Sequence, residues 1–176
     1  MWLDVRRHRL SLPPALPAAA IPVDRLHPGV VVEYFAGLNQ NALALRKVDT
    51  RERFDDPKRP VWGGHHGYWT SRRWTGYLRV YSTDTYVFSI GAEEGGSVLL
   101  DGEELNSGGG SLPITRTLAA GPHTLVIEHG HKGPDDTLRL SWNRHGETSM
   151  IPLGPAALFH DPAAFQPHAP PAERKE

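Results

Sequence analysis

Between Trp74 and Gly102 apolar residues recur at every second position, and short polar or glycine-containing breaks interrupt them. Trp74, Leu78 and Val80 share one side of the first run, and Tyr86, Phe88 and Ile90 share one side of the next. That is the period of half-buried β-strands, and it predicts two adjacent antiparallel strands. A third run, Val98 to Leu100, stops at Asp101 and Gly102 and resumes as Glu103, Glu104 and Leu105. An Asp-Gly pair between such runs marks a two-residue hairpin turn with positive φ. A chain patterned in this way is expected to be all-β.

The same residues carry a family resemblance. Trp74-Thr75-Gly76, Tyr86-Val87-Phe88 and the run ending in Asp101-Gly102 resemble the signature of the PA14 domain, a β-sandwich or barrel module of toxins, glycosidases and adhesins. Val32 to Phe35 is similar to the family's opening strand, and Ala120 to His123 with Thr124 to Glu128 is similar to its Gly-x-His strand. Leu138, Leu140 and Trp142 resemble its closing strand, and Ile151, Pro152, Ala156, Leu158 and Phe159 its final turn. The likeness runs over residues 29–161 and implies an antiparallel β-sandwich or barrel. In the sugar-binding members of the family, two successive aspartates joined by a cis peptide hold a calcium ion that orients glycan hydroxyls. The matching positions here are Glu93 and Glu94. Glutamate can supply oxygen ligands, but its extra methylene moves the carboxylate outward, and a cis bond between non-proline residues costs ~2.5–4 kcal/mol. The expectation is a turn with solvated carboxylates, with a calcium site as the alternative. Asp135 and Asp136 join such a site only if their loop converges on the first.

Composition narrows the remaining choices. The 176 residues suit one domain with extended arms, and 39% apolar with 22% charged residues are the values of a globular chain. Eighteen glycines and sixteen prolines fit short strands joined by tight turns. A formal charge of −1 provides no field to draw in nucleic acid. The absence of cysteine excludes disulfides and thiolate chemistry. No apolar run is long enough to cross a bilayer, and no Asn-x-Ser/Thr acceptor is present.

Taken in order, residues 1–28 read as an extended Pro-rich arm. Arg6, Arg7, His8 and Arg9 followed by apolar residues imitate a signal peptide, but Pro13, Pro14, Pro17 and Pro22 oppose the short helix that a signal needs. Trp2, Leu10 and Leu12, with Arg6, Arg7 and Arg9, make the arm a candidate docking segment. Residues 29–161 form the β domain, with Gly29 to Phe35 as a central strand and one further strand near Leu43 to Val48. A long connection follows, and Trp62, His65, His66, Tyr68 and Trp69 cluster at its end. These rings fit a sugar-stacking platform or a protein contact, and equally a lid over an open end of the sandwich. Arg51, Arg53, Lys58, Arg59, Arg72 and Arg73 form a basic zone expected to be a solvated face, and His129 and His131 are expected in water at a hairpin end. Residues 162–176 are an Ala/Pro-rich tail.

No nucleophile with its base, opposed carboxylates, phosphate loop or His-Glu-x-x-His pair is present, so no catalytic activity is expected. The sequence reads as a non-catalytic binding or scaffold module. Its first reading is an accessory subunit docked by its arms onto a larger, membrane-associated protein assembly, with peripheral membrane contact through the arginines. Its alternative is a carbohydrate-binding module, calcium-dependent if Glu93 and Glu94 hold the ion, in an extracytoplasmic setting. No cofactor other than that calcium is expected.

Overall fold

The computed structural model of the chain describes residues 21–36, 43–50, 70–92, 96–107, 113–131 and 138–165. In order, the strands are β1 (His27–Pro28), β2 (Val30–Ala36), β3 (Leu43–Asp49), β4 (Thr70–Val80), β5 (Asp84–Ala92) and β6 (Gly96–Leu100). They continue with β7 (Glu103–Ser107), β8 (Ile114–Leu118), β9 (Gly121–His131), β10 (Leu138–Arg144), β11 (Ile151–Pro152) and β12 (Leu158–His160). Among the described residues the only helical turns are of the 3-10 type, at Val23–Arg25 and Pro162–Ala164.

The strands form an antiparallel sandwich of an eight-stranded and a four-stranded sheet. The larger sheet runs β1, β12, β4, β9, β6, β7, with β2 beside β4 and β3 beyond β2. The smaller runs β11, β10, β5, β8. The prediction that β4 and β5 pair as neighbours is corrected here. β4 bonds to β9, β2 and β12, whereas β5 bonds to β10 and β8. The segment between them passes from one sheet to the other, and both apolar faces turn inward. Alternation shows that each strand has a face to bury; it does not show which strand lies beside it.

The core follows the alternation. Trp74, Leu78 and Val80 of β4 meet Tyr86, Phe88 and Ile90 of β5 and Leu138, Leu140 and Trp142 of β10, all buried. Tyr86 stacks on Trp142 with ring centroids 5.0 Å apart, a geometry favoured by the ring quadrupoles. The Asp-Gly turn has φ of 52° at Asp101 and 81° at Gly102, as a two-residue hairpin of the primed type requires. Its carboxylate is held from the neighbouring strand: the Thr124 N–H donates to it at 2.8 Å, and His123 Nδ1 lies 2.6 Å from it. His123 Nε2 lies 2.8 Å from the Ala119 carbonyl, so one imidazole ties the β6–β7 turn to the β8–β9 connection.

One side of β4 is shared. Val31 to Ala36 of β2 pair with its first half, and Leu158 and Phe159 of β12 with its second. The exchange occurs at Gly76, where a Cβ would sit 2.5 Å from the Phe159 carbonyl oxygen and 2.8 Å from Cγ1 of Val30. Gly76 is therefore required by the close approach of two backbones. Beside this junction the two ends of the described chain meet. His27 pairs with His160, Arg25 and Asp161 form an ion pair at 3.1 Å, and Ile21, Leu26 and Phe159 pack with Tyr77 in a small second cluster. Burial, and then the Asp161 carboxylate, raise the Tyr77 hydroxyl above the usual tyrosine range.

Gly76→Ala is expected to lower stability by ~1–3 kcal/mol or more, because the added methyl meets a strand carbonyl and not a mobile side-chain tip. Urea unfolding checks this, and an unchanged midpoint would mean that the junction opens without cost.

Candidate functional site

Strand register defines one end of the sandwich. Ala36 pairs with Thr70, and Thr70 with His131. Gly96 pairs with His129, and Ser97 with Ser107. In the smaller sheet Ala92 pairs with Leu138, and Phe88 with Ile114. The connections 37–42, 93–95, 108–112 and 132–137 all join strands at this end, and 51–69 delivers the chain there into β4. The opposite end carries the turns at 81–83, 101–102, 119–120 and 145–150.

This geometry bears on each candidate residue. Glu93 and Glu94 follow Ala92, and Asp135 and Asp136 precede Leu138; those two anchors are directly paired. The bases of both acidic segments are thus side by side. Trp69 leads into Thr70 at the same end, and Trp62, His65, His66 and Tyr68 precede it in that connection. All of these residues, like Trp2, Arg6, Arg7, Arg9, Leu10 and Leu12 of the arm, lie outside the described residues. Among the described residues no group of His, Asp or Glu side chains could hold a metal ion.

Side chains not anticipated from the sequence form the inner wall of this end. Arg72 and His129 are cross-strand partners facing the interior, 3% and 2% exposed, and each makes further interactions. The expectation of a solvated basic face at Arg72 and Arg73, and of a histidine in water at His129, is corrected. β4 and β9 run on to Thr70 and His131, so all three lie within continuous strands, Arg72 and His129 on the inner face and Arg73 on the outer one. Tyr34 lies opposite Arg72, whose guanidinium carbon is 5.5 Å from the Tyr34 ring centroid; Lys47 Nζ is 5.2 Å from the same centroid. Cations over a tyrosine face are attracted by its quadrupole. Period two itself carried the missed signal: Arg72 is two residues before Trp74, and His129 two after Ile127.

On the outer face of the larger sheet, charges alternate across four strands. Arg46 of β3 donates to Glu33 of β2 through Nη2 at 2.6 Å and Nε at 2.9 Å. Glu33 lies opposite Arg73 of β4, and Arg73 pairs with Glu128 of β9 at 2.8 Å. Glu33 and Arg73 are only 6% and 3% exposed. Like charges are never neighbours in this row, so every cross-strand contact in it is between opposite charges.

Comparison with known proteins agrees with this architecture. A PA14 domain family model matches residues 26–153. The chain belongs to the PA14 domain family. No curated protein matches it. Among solved structures, an anti-sigma factor domain-containing protein from Clostridium clariflavum is 21% identical with a TM-score of 0.65, over 83% of this chain and 50% of that one. A PA14 sugar-binding domain from an RTX adhesin is 16% identical with a TM-score of 0.57, over 76% of this chain and 99% of that one. An epithelial adhesin A domain from Candida glabrata, in complex with β-lactose, is 8% identical with a TM-score of 0.65, over 82% and 92%. At these identities the likeness is one of fold. The chain spans half the length of the anti-sigma factor domain-containing protein.

Arg73→Ala is expected to lower stability by ~3–5 kcal/mol, because it strands the Glu128 carboxylate at a shielded surface and leaves Glu33 with Arg46 as its cation. Replacing Arg73 and Glu128 together by Met and Leu should cost less than the single change. Urea unfolding of both variants checks the difference.

Proposed function

We propose that this PA14 domain is a non-catalytic recognition module that takes a carbohydrate at the loop end of its sandwich. The observation that carries this reading is the register, which places the bases of both acidic segments and the end of the aromatic-rich connection at one end. Glycans are bound by hydrogen bonds to hydroxyls combined with ring stacking, and the connections that leave that end carry carboxylates and aromatic residues in their sequence. The RTX adhesin domain described as sugar-binding and the adhesin domain bound to β-lactose support the choice of ligand class. Such a role suits an extracytoplasmic or membrane-surface location.

The test is a glycan array probed with the full chain, followed by calorimetry on the best ligand. Trp69→Ala and Trp62→Ala should each weaken binding at least tenfold and leave the melting temperature unchanged. No glycan above background, or ligands untouched by these changes, would overturn the reading. Calcium is expected to add little: with glutamates in place of the aspartate pair, millimolar calcium should move the melting temperature by less than about 1 °C. Saturating a site at a hundred times its Kd would add ~2.7 kcal/mol. A rise of several degrees, abolished by Glu93→Gln with Glu94→Gln, would establish the site.

A second reading has its own support. The first and last strand residues of the described domain, His27 and His160, pair and are held there by Arg25 and Asp161, so the domain would hang from one place, as an accessory subunit of a larger protein assembly would. Truncation after Phe165 should then release the protein from that assembly in native gels while glycan binding persists. Retention at full stoichiometry would remove this reading.

A further inference from the structure

The outer face of the larger sheet carries a row with no counterpart in the sandwich core. Val48, Val31, Thr75, Val126 and Leu99 are directly opposite one another across β3, β2, β4, β9 and β6. They alternate with the core residues Val32, Trp74, Ile127 and Val98, so they point away from the smaller sheet. Each is partly buried. Beside the row on one side lies the charged ladder, whose Glu33 and Arg73 are almost inaccessible although they face away from the core. On the other side, two residues further along β4, lies Tyr77, and against Tyr77 and Phe159 packs Ile21, 6% exposed. The first described residue of the chain is therefore already seated on this face.

We infer that residues 1–20 of this chain lie across the outer face of the larger sheet and cover the row from Val48 to Leu99. The point of departure is fixed by Ile21, directly beside the row. Twenty residues at ~3.1 Å each reach ~60 Å, ample for strands spaced ~4.8 Å apart. Pro13, Pro14 and Pro17 oppose a helix that could present a hydrophobic face of its own, so Leu3, Leu10, Leu12 and Leu16 need an external surface to leave water. A half-buried aliphatic row is such a surface. The charged ladder beside it is already paired, which leaves Arg6, Arg7 and Arg9 to solvent or to a neighbour. The face is thus a docking site for the chain's own arm, independent of the loop end and of what binds there.

The chain has no cysteine, which permits a direct test in the full-length protein. Single cysteines at position 10, 12 or 16, each combined with Thr75→Cys or Val126→Cys, should give an intramolecular disulfide under mild oxidation in at least one pairing, with the protein remaining monomeric. Maleimide labelling of Thr75→Cys should be at least tenfold slower than that of Thr115→Cys on the exposed face of the smaller sheet. Adding Leu10→Asp, Leu12→Asp and Leu16→Asp should accelerate the former and leave the latter unchanged. Equal labelling with and without the aspartates, or disulfides formed only between molecules, would overturn the inference; the second result would assign the face to a second copy. Thr75→Cys changes little volume, so the labelling arm stands even if Val126→Cys fails to fold.

Discussion

The close contact at Gly76 is the constraint on which the remainder of the larger sheet depends. β4 and β9 are the longest strands and lie side by side along their whole length. On the other side of β4 no single strand among the described residues runs as far. β2 covers its first half, β12 its second, and the two meet where only a glycine lets the Phe159 carbonyl pass. Because β12 is joined to β1, and β1 leads into β2, this junction also brings the beginning and the end of the domain together. The pairing of β1 with β12, the Ile21 cluster and the ion pair of Arg25 with Asp161 all follow from the same packing.

Charge is used in two ways. On the outer face, Arg46, Glu33, Arg73 and Glu128 form a row in which each charge meets its opposite on an adjacent strand, so burial does not leave any of them without a counter-ion. A neutral pair of the same shape would hold the sheet as well or better, but alternating charge specifies register: a slip of one residue would bring these groups to the apolar interior. At the loop end, Arg72 and His129 occupy interior positions where a deeper residue would be aliphatic. The core gives way there to polar side chains, as it must where ligands or connecting chain approach.

The two ends of the sandwich differ accordingly. One is closed by short turns, tied together by His123 between Asp101 and Ala119. The other collects the longer connections. A scaffold that gathers its longer connections at one end is the arrangement in which binding is most often placed on loops, and it is the physical reason for proposing recognition at that end and attachment at the edge where His27 meets His160.

By itself the sequence determined which residues face inward. Period two in Trp74 to Val80, Tyr86 to Ile90 and Leu138 to Trp142 is a local property of the strand, and Asp101-Gly102 states its turn in two residues because few others tolerate positive φ. The PA14 motifs pointed to the family for the same reason, since they are made of local pieces. Partnership was another matter. Whether β5 lies beside β4 or across the core from it, which residues stand opposite Arg73, and that Ala92 meets Leu138 beneath the two acidic segments were decided only in three dimensions. Strand pairing is set by hydrogen bonds between backbones that are alike in every residue, so side-chain pattern alone cannot choose among partners; closing both faces of the core at once does.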